Sequence, residues 1–190
     1  MIRGKMAATF GALTACVLMT GCMPKMTIED MKAMTPKRPA ELDHLNMFAG
    51  KWQYEGKMEF GGTEESIEST GTSDTEWGPG KWYLVSDSLW NMKGFDPMHG
   101  HEVWGYDVKS KKYRSSWTDT MGAMGYGTAK YNPETKTWKM HAVSHGPMGK
   151  STMNGTVTFV NDSTMKFEMK EKAMFGLMTV MEWEGTATRK

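Results

Sequence analysis

Cysteine is nearly absent from this chain of 190 residues: there are 2, Cys16 and Cys22, and none follows. A disulfide framework, a cysteine nucleophile and a cysteine-bound zinc are therefore excluded from everything after residue 22. Charge of one sign is lacking too. Lys and Arg total 23 against 22 Asp and Glu, a net charge of +1, so the basic footprint of a nucleic-acid binder is missing. No apolar run reaches the roughly 20 residues that a membrane-spanning helix needs. The chain has no Gly-rich phosphate loop opening a helix, no Gly-x-Ser-x-Gly elbow and no His-Glu-x-x-His. Ser, His and Asp are present, but no spacing singles out a triad, which geometry alone defines. The expectation is a protein that is not an enzyme.

Methionine and glycine are abundant, 21 of each, and 11% of residues are aromatic. The length suits one domain with an extension and is ample for a core without staples.

The extension reads as an address. Arg3 and Lys5 form a positive n-region, Ala7 to Met19 an uncharged apolar h-region, and Thr20-Gly21-Cys22 a small-residue end, as in an export signal over 1–21. Leu18-Met19-Thr20-Gly21-Cys22 resembles the bacterial lipobox, whose cysteine is acylated and becomes the first mature residue. A single terminal cysteine in an oxidising compartment has no disulfide partner, and lipidation of Cys22 accounts for it. Met23 follows Cys22 with no Asp to signal inner-membrane retention. Resemblance to known lipoproteins therefore implies a cell-envelope location on the periplasmic face of the outer membrane, with the bilayer as partner. Residues 22–40 hold Pro24, Pro36 and Pro39 and no aromatic residue, as flexible tethers do. Some 18 extended residues reach roughly 60 Å. Thr27-Ile28-Glu29-Asp30 can cap a short helix through Met34, although an unfolded spacer is the expected state.

From residue 51 the pattern changes to short aromatic and β-branched segments between Gly, Asn, Asp and Pro. Strands are expected at 51–60, 66–76, 81–91, 101–108, 111–119, 125–131, 136–144, 151–160, 163–171 and 178–188, with a tight hairpin at Asn161-Asp162. Trp52, Tyr54, Met58 and Phe60 alternate with charged neighbours, as do Trp138, Met140 and Ala142, then Met165, Phe167 and Met169. One wet face and one buried face mark antiparallel meander strands. The expected fold is all-β: one antiparallel up-and-down barrel of about ten strands, with a two-sheet sandwich as the alternative. Glu41 to Phe48, with Leu42, Leu45 and Phe48 at helical spacing, is a short N-terminal helix expected to cap one end.

Two clusters invite chemistry. Met98, His99 and His101, with His141 and His145, combine thioether and imidazole, which suits copper, Cu(I) above all. Haem is the other imidazole use. Met178 and Met181, three apart on a regular strand, would face opposite ways, and methionine is more simply a flexible core filler. In Trp117-Thr118-Asp119 the carboxylate is either a polar anchor near Tyr113 in an apolar pocket or the start of a turn before Met121-Gly122.

His44-Leu45, Phe48-Ala49-Gly50-Lys51-Trp52, Gly105-Tyr106-Asp107, Lys112-Tyr113, Trp117-Thr118-Asp119, Gly149-Lys150, Val180-Met181-Glu182 and Thr188-Arg189-Lys190 together resemble the bacterial DUF1579 family over roughly 42–190. The same residues are similar to calycin and lipocalin barrels, in which a Gly-x-Trp begins the first strand and an arginine of the last strand crosses the tryptophan. That resemblance implies barrel closure by Gly50, Trp52 and Arg189, with the guanidinium over the indole. The domain is then 41–190. The expected function is non-enzymatic binding of a small apolar or amphipathic ligand against Trp52, Tyr54, Tyr113, Trp117, Asp119, Trp138 and Phe167. The alternatives are Met/His handling of copper or haem, and a structural envelope protein whose barrel is filled by its own side chains. An interior cavity of at least roughly 300 Å³ would separate binding from filling.

Overall fold

The computed structural model describes residues 25–63 and 65–190; the expected signal at 1–21 and the expected lipid site Cys22 lie outside them. Two units are distinguished, up to Lys37 and from Arg38 to Lys190. In the first, α1 (Ile28–Ala33) forms where an unfolded spacer was expected. The Thr27 hydroxyl accepts from the Asp30 backbone N–H at 3.1 Å, and the Asp30 carboxylate accepts from the Thr27 N–H at 2.8 Å. That reciprocal cap satisfies donors which would otherwise oppose so short a helix. No helix among the described residues is long and apolar enough to cross a membrane.

The second unit is one closed antiparallel sheet of ten strands, each paired with its chain neighbours and the first with the last. The strands are β1 (Gly50–Phe60), β2 (Ser66–Trp77), β3 (Leu84–Met92), β4 (Met98–Asp107) and β5 (Lys112–Asp119), then β6 (Met124–Asn132), β7 (Thr137–Gly146), β8 (Gly149–Asn161), β9 (Thr164–Ala173) and β10 (Met178–Arg189). Closure removes both free edges and excludes the sandwich. It is completed by β1 against β10, with Trp52 opposite Arg189 and Phe60 opposite Met181.

Boundaries move where turn chemistry intervenes. β3 starts at Leu84 because Pro79–Lys81 is a 3₁₀ turn with Gly80 and Lys81 at positive φ. Asn161 pairs with Thr164 and its Oδ1 accepts from the Ser163 N–H at 2.9 Å, so the tight turn is Asp162-Ser163, one residue later than expected. Gly146 pairs with Gly149, which leaves Pro147-Met148 at the tip and places Gly149-Lys150 in β8. A register shift between Thr179 and Met181 sets Met178 opposite Ala173 and Met181 opposite Glu171. A bulge adds one residue to a strand, so Met178 and Met181 share a face, contrary to the regular-strand expectation.

The capping element Ala40–Met47 is a 3₁₀ helix rather than an α-helix. Pro39 precedes it and gives no side-chain cap, and the Phe48 N–H bonds the Leu45 carbonyl three residues back. At three residues per turn, positions three apart eclipse. Leu42 and Leu45 therefore point the same way, into the barrel, and are 1% and 0% exposed. Burying two leucines contributes about 3–6 kcal/mol of transfer free energy. Trp52, Leu84, Tyr113, Trp138, Phe159, Met165 and Ala187 complete the dry core beneath this plug.

Candidate functional site

The plug end of the barrel is built to stay shut. Arg189 Cζ lies 4.4 Å from the Trp52 ring centroid. Its guanidinium donates to the Met47 carbonyl at 3.0 Å, to the Asp162 carbonyl at 3.0 Å and to the Ala49 carbonyl. A Cβ on Gly50 would sit 2.7 Å from Arg189 Nη1, and Gly50 has φ +111°, so glycine serves both backbone and neighbour there. The Trp52 indole donates to the Phe48 carbonyl at 2.9 Å. The Tyr113 hydroxyl donates to the Glu41 carbonyl at 2.8 Å and accepts from His44 Nδ1 at 2.7 Å. Trp138 is wholly buried and meets Tyr113, Tyr131 and Phe48 edge-on or tilted. Trp52, Tyr113 and Trp138, expected against a ligand, are thus gathered into this plugged core.

The opposite half is different. Inward positions alternate along each strand, and cross-strand partners share a face. Tyr54, Ser86, Ser88, Trp90, Glu102, Trp117, Ser144, Met153, Met169 and Trp183 all hold inward positions there. All remain only half-buried. Tyr54, Trp90, Trp183 and Phe167 form one aromatic wall. Ring centroids lie 4.7 Å apart for Tyr54 and Trp90, 4.5 Å for Trp90 and Trp183, and 4.6 Å for Phe167 and Trp183. Each polar tip is tied to a serine: Tyr54 to Ser73 at 3.2 Å, Trp90 to Ser88 at 3.2 Å and Trp183 to Ser69 at 3.1 Å. Trp117 faces this lumen over Gly125, where a Cβ would come within 2.4 Å of its ring.

One carboxylate, missed by sequence reasoning, stands in mid-lumen. Glu102 is opposite Ser86 on one side and Trp117 on the other. Burial pushes its pKa above the usual glutamate value, while hydrogen bonds from Trp104 and Ser115 act to lower it. Protein encloses the group, yet it keeps accessible surface on the inward face of β4. Among the described residues no Lys, Arg or His forms an ion pair with it. Tyr54 is pushed up to about 12 by burial foremost, with the Glu102 charge adding to the rise, so it stays a donor. The signal in the sequence was the phase Gly100, Glu102, Trp104, Tyr106, in which an acid takes a place among inward residues.

A folded-state pKa raised above the unfolded 4.5 adds stability only below that value, and the contribution is lost as pH rises through the folded pKa. Glu102→Gln removes this dependence. Its melting temperature is expected to draw level with or pass the wild type as pH climbs from 4 to 8. Parallel melting curves across that range would contradict the burial of this carboxylate.

The other expected site residues are dispersed. Asp119 Oδ1 accepts from the Met121 and Ala123 backbone N–H groups at 2.9 and 3.1 Å, so its carboxylate holds the β5–β6 turn. His99 and His101 share the outer face of β4, and His101 bonds Asp87 at 2.7 Å. Met98, in the other phase, faces inward. His141, bonded to Asn154 at 2.9 Å, and His145 are exposed on β7. The barrel therefore does not bring the Met/His residues together. Among the described residues no three His, Cys, Asp or Glu side chains converge as a metal set.

Two hollows, about 650 and 410 Å³, open on the outer wall: the first among Lys57, Glu168, Lys170, Glu182 and Glu184, the second near Tyr83, Val103 and Arg114. Neither is the lumen. At the unplugged end, four of the five connecting turns present apolar side chains to solvent: Phe95, Met121, Met148, and Met174 with Phe175 and Leu177.

A family model described as a protein of unknown function, DUF1579, matches residues 37–185. No curated protein matches the chain. Among solved structures, the protein Rv2717c from M. tuberculosis is similar at TM-score 0.63 and 11% identity, covering 81% of this chain and 99% of that one. An S-type phycobiliprotein lyase from Guillardia theta is similar at TM-score 0.58 and 11% identity, covering 87% and 98%. At such identities the likeness is one of fold.

Proposed function

The chain belongs to the DUF1579 family, and from that membership we propose that it is a non-enzymatic binding protein which holds a small amphipathic molecule in the unplugged half of its barrel. The observation that carries this reading is the contrast between the two halves. Leu42, Leu45, Trp52 and Trp138 under the plug are dry, whereas Tyr54, Ser88, Trp90, Glu102, Trp117, Met153 and Trp183 of the other half keep accessible surface around a buried Met58, Ser69 and Met92. Mostly apolar walls with a few placed polar groups are the composition of ligand sites. Methionines such as Met153 and Met169 let the wall adapt to its contents. The apolar turns around the mouth suit entry of a molecule with an apolar body. Glu102 and a protonated Tyr54 are placed to hold such a molecule.

The reading includes an envelope location: Cys22 carries the acyl anchor, and the following residues let the barrel stand off the bilayer. Native mass spectrometry of the protein extracted from its source membrane tests both parts. A covalent lipid mass on Cys22 and a second, non-covalent mass lost on unfolding are expected. Cys22→Ser is expected to lose the lipid mass and leave the membrane fraction. A barrel that flies with no non-covalent mass, or lipid unchanged in Cys22→Ser, would overturn the corresponding part.

A further inference from the structure

We propose that the lumen selects a cationic amphiphile, an apolar chain or ring bearing a protonated amine, with Glu102 as the counter-ion. This rests on the lumen-binding reading above and names the ligand class for it. Glu102 is a carboxylate in mid-barrel beside the neutral Tyr54 of β1, Ser86 of β3, Trp104 of β4, and Ser115 and Trp117 of β5, while the other inward carboxylates are engaged elsewhere, Asp119 by the β5–β6 turn and Glu171 of β9 by Ser151. A buried charge without a partner is costly and is ordinarily paired. Here the chain supplies no partner among the described residues, while the space in front of the carboxylate is accessible.

The surroundings match a cation as well as the charge does. Trp117 is the direct cross-strand neighbour of Glu102, and Tyr54, Trp90 and Trp183 continue the aromatic wall towards the mouth. Indole and phenol faces attract ammonium groups when water is excluded. An anionic ligand meets the opposite: repulsion from Glu102, while the inward cation Arg189 is committed to the carbonyls of the plugged end. A neutral alcohol of equal length gains the apolar wall alone. The rank order is therefore cation, then neutral, then anion.

Isothermal titration calorimetry on the chain from residue 23 onward, with n-octylammonium, n-octanol and n-octanoate below their aggregation concentrations, tests this. Octylammonium is expected to bind at least about tenfold more tightly than octanol, and octanoate more weakly than either. In Glu102→Gln the ammonium preference is expected to vanish while octanol affinity is retained. Glu184→Gln, which removes a carboxylate of the charged outer hollow, is expected to leave all three affinities as they were. Equal affinity for ammonium and alcohol overturns the cation selectivity and leaves the lumen site standing. So does an ammonium preference that survives Glu102→Gln or disappears in Glu184→Gln. Failure of all three probes overturns the lumen site itself. The wild-type rank order needs no variant, so a misfolded mutant does not rescue the proposal.

Discussion

Arg189→Ala is expected to lower the unfolding free energy by about 2–4 kcal/mol and to free the plug. The guanidinium donates to carbonyls of Met47, Ala49 and Asp162 while lying over Trp52. Hydrogen bonds to a charged group contribute about 1.5–3 kcal/mol, and carbonyls left unpaired in a partly buried setting lose more. The cation over the indole adds about 0.5–2 kcal/mol. Against a total stability of roughly 5–15 kcal/mol, the loss is severe without being fatal. Arg189→Lys keeps the charge but not the planar fork, so it recovers only part. Urea denaturation gives the magnitude, and hydrogen exchange shows where it falls. Amides of Ala40–Met47 are expected to exchange much faster in Arg189→Ala, while those of β6 and β7 follow global stability alone. Plug amides that stay protected would mean that the leucines, not the arginine, hold that end.

A larger effect is expected at Gly185. It lies directly opposite Gly56 across the β1–β10 seam. A Cβ there would stand 2.3 Å from the Glu55 carbonyl oxygen, 2.6 Å from Phe167 Cζ and 2.7 Å from Gly56 Cα. Overpacking a core against movable side chains costs about 1–3 kcal/mol; here two of the three obstacles are backbone, and relief requires parting the strands that close the barrel. Gly185→Val is expected to accumulate as insoluble protein, and Gly185→Ala to lose about 3 kcal/mol or more, the upper end of that range, because backbone must move. Gly105 supplies the contrast. Nothing lies within 4 Å of its Cβ position and its φ is ordinary, so Gly105→Ala is expected to be neutral or to gain about 0.4–1 kcal/mol through the unfolded chain. Solubility and urea midpoints of the three variants decide; a soluble Gly185→Val of native stability would refute the close seam.

Strand number, order and closure were legible because alternation of period two persists through Trp52 to Phe60, Trp138 to Ala142 and Met165 to Met169. Each turn also carries a residue suited to it. The site was less legible for three separate physical reasons. Glu102 breaks the rule that charge faces water, and a pattern search discards what breaks its rule. His99 and His101 look like a paired ligand set, yet their phase is opposite to that of Trp104 and Tyr106, so they lie on the outer wall. Met178 and Met181 are brought to one face by a bulge, which no spacing of side chains announces. The largest aromatic residues misled in a different way. Trp52 and Trp138 were natural pocket walls by composition, but the eclipsed leucines of the 3₁₀ plug fill the space before them. That element was visible as a helix, while its type, and hence the direction of Leu42 and Leu45, followed from Pro39 denying it a capped first turn.

The pairing of the first strand with the last has a consequence for how the molecule comes into being. Trp52 meets Arg189, and the Lys190 N–H reaches the Lys51 carbonyl at 2.9 Å. That contact spans almost the whole domain, and contacts so distant in sequence form late and slowly. A nascent chain can zip hairpins in order from β1 to β9, but it remains an open, curled sheet with two sticky edges until β10 arrives. Closure is thus timed by the arrival of β10 rather than by the zipping of the earlier hairpins. The closed barrel cannot form while β10 is still being made.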